Sequence, residues 1–383
     1  MTWQDDYAGR IMKSAPVPAV QLVRGAGARV WDSEGREYLD FLAGIAVNAL
    51  GHAHPAFVEA VSTQAATLAH VSNYFATPPQ LELAGRLLRL SGGDRVYFAN
   101  SGAEAIEAAI KLARRTGRPR ILALQNSFHG RTMGSLSLTG KPVLREPFEP
   151  LLPNVEHLES TIEALEAAIA DDVAALVVEP IKGEAGVVPL PEGYLEAARE
   201  LTTRHGVLLI LDEIQTGAGR TGSWFAFQQY GIVPDAVALA KGIGGGIPIG
   251  ALVAFGAAAD LLTAGQHGST YGGNPLATAT ANAVLAEIER AGLVENARLR
   301  GEQLRDAISG MPGVAEVRGS GLLLGVGLDA PRATAVYAAG LELGLIVNAP
   351  NDTTIRLAPP LIIGDAEIDE FTEKFTTALE TTA

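Results

Sequence analysis

The sequence predicts an α/β protein: a large domain on a mostly parallel sheet, with a second, smaller α+β domain. Three observations carry this expectation. Short apolar runs alternate with helix-length segments from residue 95 to 255, as a parallel sheet with crossover helices requires. Glycine is abundant, 43 of 383 residues, which suits many tight strand-to-helix turns. Four successive apolar runs end in polar clusters: Asn100-Ser101, Phe128–Arg131, Glu179–Glu184 and Asp212–Gln215. Open α/β sheets bind their ligands at the carboxyl ends of strands.

A chain of 383 residues is long for one core and comfortable for two domains. Its formal charge of -14 argues against nucleic acid, which attracts a basic surface. With no cysteine, the chain has neither a disulfide framework nor a thiolate zinc site. Met1–Tyr7 shows neither the basic nor the apolar region of a secretory leader. No apolar run approaches the length of a membrane span. A soluble cytoplasmic protein is expected.

Taken in order, residues 1–50 read as an arm and a small sheet. Val20–Val23 and Ala28–Trp31 alternate like strands, Asp32–Gly35 is a turn, and Tyr38–Leu42 continues the sheet. Gly51-His-Ala-His-Pro55 holds a His-x-His pair. Metal binding would need further ligands, and none lies nearby in sequence. A turn before a helix at about 55–68, with proline in its first turn, accounts for the segment. Another helix is expected at about 79–90, then a strand at 95–98. Ala99–Glu104 opens an alanine-rich helix to about residue 116. Ser101 with Glu104 makes a capping box. The same strand, small-residue turn and helix also presents backbone N–H groups to a phosphate, with Ser101, Gly102 and Ala103 small enough to let it approach.

Arg120–Leu124 reads as a strand ending at Phe128 and Arg131. Those two side chains suit stacking on a ring and clamping a carboxylate. Core packing and a surface charge are the plainer readings. A helix at about 160–170 leads to a strand at 174–178, and one at about 193–205 leads to Val207–Leu211, which ends in Asp212. Asp235–Lys241 then delivers a lysine to the glycine-rich loop Gly242–Gly246. If the strands are parallel neighbours, Asp212 and Lys241 meet at one sheet edge. A Schiff-base lysine paired with an acid on a pyridinium nitrogen is the signature of pyridoxal phosphate chemistry. Gly250–Phe255 closes the region, and a helix at about 276–289 follows a glycine-rich loop at 267–275. From about 295 the pattern changes to helix plus alternating strands at 315–318, 322–326 and 354–357. We divide the chain into residues 1–50, contributing to a small domain, 51–275, the large cofactor domain, and 276–383, the C-terminal small domain.

The combined motifs resemble those of class III (ω-amino acid) aminotransferases of the fold type I pyridoxal phosphate group, most closely the acetylornithine branch. The carriers are Gly51-His-Ala-His-Pro55, Phe98-Ala-Asn-Ser-Gly-Ala-Glu104, Phe128-His-Gly-Arg-Thr-Met-Gly134, Glu179-Pro-Ile-Lys-Gly-Glu184, Leu211-Asp-Glu-Ile-Gln-Thr-Gly217, Gly219-Arg-Thr-Gly222, Ala240-Lys-Gly-Ile-Gly-Gly-Gly246, Gly268-Ser-Thr-Tyr-Gly-Gly-Asn-Pro275 and Ile355-Arg-Leu-Ala-Pro-Pro360. Each is modest alone; their joint order and spacing is specific. The resemblance implies transfer of the ω-amine of N2-acetyl-L-ornithine to 2-oxoglutarate, in arginine biosynthesis.

The resemblance also implies roles. Lys241 holds pyridoxal phosphate and shuttles protons. Asp212 pairs with the ring nitrogen, Gln215 bonds the 3-oxygen, and Glu213 and Ile214 belong to the same cofactor-binding segment. Phe128 stacks on the ring, and Ser101, Gly102 and Ala103 take the phosphate. Thr270 reaches the phosphate of a neighbouring subunit's cofactor, which implies a homodimer, and Ser269 touches substrate there. Arg131 clamps the distal carboxylate of both substrates. Arg356 takes the α-carboxylate of glutamate, and Glu184 neutralises it when an ω-amine binds.

Relatives usually carry Asn at the position of Ile106, Gln at Lys182 and Gly at Ala185. Lys182 puts a charge beside Gly183-Glu184; it is expected to point to solvent, the alternative being that it biases the Glu184 switch. Ornithine-specific relatives place a tyrosine just before Gly51, where a gap-free reading gives Ile45, an apolar residue suited to an acylated amine. Succinylornithine, succinyldiaminopimelate, carrier-linked lysine precursors, ornithine and 4-aminobutyrate are alternative donors. A glutamate-semialdehyde aminomutase would not need the Arg356–Glu184 pair. A cofactor-binding regulator would be expected to lose Lys241 or Asp212, or to add a DNA-binding domain.

Overall fold

The computed structural model describes residues 2–383. Near the start, β1 (Leu22–Ala26), β2 (Arg29–Asp32) and β3 (Glu37–Asp40) form an antiparallel ribbon. The large sheet takes β4 (Arg95–Ala99), β5 (Arg120–Leu124), β6 (Val155–Leu158) and β7 (Val173–Val178). A two-stranded hairpin, β8 (Ile181–Lys182) with β9 (Val188–Pro189), follows. β10 (Leu208–Asp212), β11 (Ala236–Leu239) and β12 (Gly250–Ala254) complete the sheet in the order β4-β12-β11-β10-β7-β5-β6. Its central strands are buried throughout, as in Val173-Ala-Ala-Leu-Val-Val178. Helices must therefore cover both faces.

The sheet is mostly parallel, and one strand departs. β12 runs antiparallel to both neighbours, β4 and β11. The link from β11 to β12 is too short for a crossover helix, so the chain can only fold straight back. The expected helices form, with ends moved by a residue or a few: Pro55–Thr67, Pro78–Ser91, Gly102–Arg114, Ile162–Ala168, Tyr194–His205 and Pro275–Arg290. Ser101 caps Gly102–Arg114, its Oγ accepting from Glu104 N at 3.2 Å. That helix buries Ala105, Ile106, Ala109, Ile110 and Ala113. Ile106, the odd residue in its motif, is thus a core side chain.

The C-terminal part adds β13 (Val314–Ser320), β14 (Leu323–Leu328), β15 (Leu345–Ile346), β16 (Asn348–Asn351) and β17 (Thr354–Leu357). Four of these make the sheet β13-β14-β17-β16, and β15 joins β3 in parallel through Leu39–Leu345 and Asp40–Ile346. The first strands therefore pair with the last quarter of the chain. Phe41 stacks on Phe371 of the Asp365–Thr381 helix with ring centroids 4.4 Å apart. Arg29 meets Glu370 of the same helix at 2.5 Å.

The His-x-His pair serves the fold. His52 Nε2 bonds buried Asp40 at 2.8 Å, and His54 Nδ1 accepts from Ala56 N at 3.3 Å as a helix cap. Among the described residues no helix is long and apolar enough to cross a membrane.

Candidate active site

The carboxyl ends of β4, β5, β7, β10 and β11 surround one cavity of about 470 Å³. Asn100, Ser101, Gly102 and Ala103 form one wall. Phe128, His129, Gly130 and Arg131 form the next, with Glu179 and Glu184 beyond them. Asp212, Ile214, Gln215 and Lys241 complete it. Five strand ends far apart in sequence thus converge, because parallel strands all point their carboxyl ends the same way.

Lys241 enters from a strained turn. β11 ends at Leu239, and Lys241 adopts φ 46° in the left-handed region, costing a non-glycine residue roughly 1–3 kcal/mol. Burial holds its amine below the ordinary lysine range; Glu184 and Asp212 oppose that shift, while Arg356 adds to it. A neutral amine is a competent nucleophile and proton acceptor. Beside it, Asp212 is buried at the end of β10. Its Oδ2 lies 2.7 Å from His129 Nδ1, and its Oδ1 accepts from Ile214 N at 3.1 Å. Burial disfavours charge on His129, but the bond to Asp212 and the charges of Asp212 and Glu179 outweigh it and raise its pKa. Burial drives Glu179 upward, with neighbouring Asp212 adding to the shift, although His129 and the Phe128 and Gly183 amides oppose it.

At the opposite wall, the first-turn amides of Gly102 and Ala103 have no carbonyl one turn back to bond. They open the Gly102–Arg114 helix, where the dipole favours an anion. The turn is packed closely: a Cβ on Gly250 would come within 2.2 Å of the Ser101 carbonyl, and one on Gly102 within 2.7 Å of Ile214 Cδ1.

Arg356 is only 1 % exposed, on β17. Its Nη1 meets Glu184 Oε1 at 2.5 Å and Gln215 Oε1 at 3.4 Å, and Asn348 Oδ1 accepts from Nε and Nη2 at 3.1 and 2.8 Å. Burial pushes the Glu184 carboxyl up, but Arg356, Lys241 and Lys141 outweigh it and hold it low. Glu184 lines the cavity, standing between the open space and the guanidinium. Arg131 is exposed at the mouth, its Cζ 5.7 Å from the centre of the Phe128 ring.

The family model "Aminotransferase class-III" matches residues 11–379. The chain belongs to this family. It is 52 % identical to the acetylornithine aminotransferase of Streptomyces coelicolor over 95 % of this chain and 92 % of that one. Identity is also 52 % to the same-named protein of Mycolicibacterium smegmatis, over 100 % and 99 %. Among solved structures it resembles N-acetylornithine aminotransferase from Stenotrophomonas maltophilia, at 37 % identity and TM-score 0.85, covering 98 % of each chain. It also resembles ornithine aminotransferase from Toxoplasma gondii, at 34 % identity and TM-score 0.94, covering 99 % of this chain and 94 % of that one.

In this class-III aminotransferase three sequence-based expectations change. Glu213 does not line the cavity. It is 1 % exposed, and its carboxylate accepts from Thr216 Oγ1 and from the amides of Ala226 and Phe227 at 3.0, 2.6 and 2.8 Å. Alternation along the strand turns it away from Asp212, and burial pushes its carboxyl up to about 7. Lys182 does not reach solvent: it is 7 % exposed, its Nζ bonded to Ser160 Oγ at 2.8 Å and the Gln125 carbonyl at 3.3 Å. Val47, not Ile45, lines the cavity from the segment before Gly51. Ser269 and Thr270, expected to serve a neighbouring subunit, lie outside this chain's own cavity wall. Ser269 Oγ accepts from Asn100 Nδ2 and Gly272 N at 3.0 Å each, and Thr270 is exposed.

Sequence reasoning gave no role to His129, Glu179, Lys141 or Asn348. His129 and Glu179 sit within quoted motifs at strand ends, and that position was the available signal. Lys141 and Asn348 carry no local signal, since their partners lie on other elements.

Proposed function

We propose that this class-III aminotransferase transfers the ω-amino group of N2-acetyl-L-ornithine to 2-oxoglutarate. The products are N-acetyl-L-glutamate 5-semialdehyde and L-glutamate, and the cofactor is pyridoxal 5′-phosphate. This reading belongs to arginine biosynthesis in the cytoplasm. One observation carries it: Glu184 lies on Arg356 at the cavity wall. An ω-amine presents a neutral methylene where glutamate presents its α-carboxylate. A site serving both needs a cation that is covered for one and free for the other. The names of the Streptomyces and Mycolicibacterium relatives support the acetylated donor, as does apolar Val47. The Toxoplasma neighbour keeps ornithine as the alternative donor.

The residues present fit the cofactor. Asp212 keeps a carboxylate edge toward the cavity while His129 holds its other side. The free amides of Gly102 and Ala103 suit a phosphate, with Ser101 beside them. When bound, pyridoxal phosphate draws electron density from the carbon that bears the amine.

The protein's part is to hold and to move protons. Lys241 would hold the cofactor, and its amine, once released, would take a proton from the amine-bearing carbon and pass it to the cofactor rather than back to that carbon. Asp212 would keep the ring nitrogen protonated. Gln215 would donate to the 3-oxygen, and Phe128 and Ile214 would supply apolar contact to the ring. Arg131 clamps the distal carboxylate. Arg356 orients the α-carboxylate of glutamate once Glu184 swings away.

The test is a panel of half-reactions, mixing holoenzyme with one amine at a time and following the cofactor spectrum. Acetylornithine and glutamate should react fast, with ornithine and 4-aminobutyrate slow. Reaction with glutamate but not acetylornithine would sink the acetylated-donor assignment. In the same assay Arg131→Ala should weaken both half-reactions by roughly 10- to 100-fold, the worth of a charge-assisted bidentate contact. A loss confined to glutamate would refute the shared clamp.

Exposed Thr270, with Ser269, is assigned to the cavity of a second copy of the chain, which makes the active enzyme a homodimer. Sedimentation of the holoenzyme measures this, and a fully active monomer would overturn it.

A further inference from the structure

Two lysines that the proposed chemistry does not use hold the hairpin that carries Glu184. That hairpin is β8–β9, and Glu184 sits in its connection. On one strand, Lys182 Nζ donates to the Gln125 carbonyl at 3.3 Å and to Ser160 Oγ at 2.8 Å. At the connection, Lys141 Nζ donates to the Glu184 carbonyl at 2.5 Å. All three acceptors are uncharged oxygens. Lys182 is buried and Lys141 half-buried, and holding an ammonium out of water on such acceptors is costly, so an incidental surface charge explains neither lysine.

Both tethers lead to the same wall. Gln125 follows β5 directly. Lys141 follows Gly140, whose N–H donates to the Ser127 carbonyl and whose carbonyl accepts from Asn126 N, each at 2.9 Å. The wall so anchored continues into Phe128 and Arg131. The hairpin also leans on Arg318, whose Nε donates to the Gly186 carbonyl at 3.0 Å, and on Asn351, whose amide donates to the Ala185 carbonyl at 3.2 Å. Those contacts join it to β13 and β16 of the sheet that carries Arg356, β16 being the neighbour of Arg356's own strand. The hairpin is therefore held from both sides, at a position where Glu184 reaches Arg356.

We propose that Lys141 and Lys182 are positioning residues that hold Glu184 over Arg356, and so favour the state that accepts an ω-amine over the state that accepts an α-carboxylate. The proposal rests on the reading that Glu184 covers Arg356 for one substrate and leaves it for the other. Losing a tether lets the hairpin drift. Arg356 is then left without its carboxylate when a neutral methylene lies beside it. Glutamate brings its own carboxylate to Arg356 and is less affected.

The experiment measures both half-reactions of the holoenzyme separately for wild type, Lys141→Met, Lys141→Arg and Lys182→Met. Lys141→Met should lower kcat/KM of the ω-amine half-reaction roughly tenfold, the worth of one charge-assisted hydrogen bond, while glutamate changes less than about threefold. Lys141→Arg, which keeps a charged donor, should recover most of the loss. Lys182→Met should shift the ratio in the same direction, and it decides the matter if Lys141→Met does not fold. Equal losses in both half-reactions, a larger loss with glutamate, or an unchanged ratio would overturn the proposal. The wild-type arm tests the underlying reading separately. A wild type that reacts with glutamate and no ω-amine refutes the proposed function, whereas any ω-amine it accepts serves to read the ratio.

Discussion

Lys241→Ala is expected to lose covalent cofactor attachment and at least ~1,000-fold in turnover, since one residue supplies both the nucleophile and the proton shuttle. Among the described residues, no other lysine lines the cavity. Lys141 is engaged by the Glu184 carbonyl, and Lys182 by Ser160 and Gln125. Lys241→Arg should fail as well, because a guanidinium stays protonated and cannot attack a carbonyl. The backbone should survive the alanine change. Alanine keeps the left-handed φ of 46° with the same strain as lysine, so thermal unfolding of the apoprotein should move little. The measurement is turnover together with the visible absorbance of the attached cofactor. Retained absorbance, or turnover above about a tenth of wild type, would move the attachment elsewhere.

Asp212→Asn carries the second large effect. The substitution keeps size and removes the charge that faces both His129 and the cavity. The Gly102–Ala103 turn and Lys241 remain, so the cofactor should stay bound. Turnover should fall by roughly 100- to 1,000-fold, the scale for removing one preorganised electrostatic partner. A second readout separates this role from a merely structural one. His129 is held toward its charged form by Asp212 against the pull of burial. Without that carboxylate only Glu179 is left to oppose burial, and the His129 pKa should fall in the variant, visible in the pH titration of its ring nitrogen resonances. Turnover within threefold of wild type would refute the role of Asp212. A His129 titration unchanged in the variant would refute the electrostatic account of the pair.

Much of the site was legible because each group sits in a stretch with a local physical reason. Lys241 and Asp212 close apolar runs, Ser101 opens a capped helix, and Phe128 and Arg131 follow a buried strand. What failed was direction. Glu213 is adjacent to Asp212 in sequence, yet faces Ala226 and Phe227, because neighbouring residues on an extended chain point to opposite sides. Lys182 read as a solvent charge because lysines usually are. Its burial depends on Gln125 and Ser160, which no local pattern links to it. The antiparallel course of β12 was equally hidden: strand propensity does not carry direction, and only the short return from β11 decides it.

The sequence by itself determined the elements and the chemical inventory of this protein. Its apolar periodicity set the alternation of strands and helices, and its motif order set the family and the residues that close each strand. The tertiary structure decided which of those residues share a space. Asp212 with His129, Arg356 with Glu184 and Asn348, and Lys141 with the Glu184 carbonyl are contacts between distant elements. Local propensity is a property of a few neighbouring residues. Such contacts depend on how whole strands stack and which way each side chain leaves its strand, and that is fixed only when the sheet and its covering layers pack.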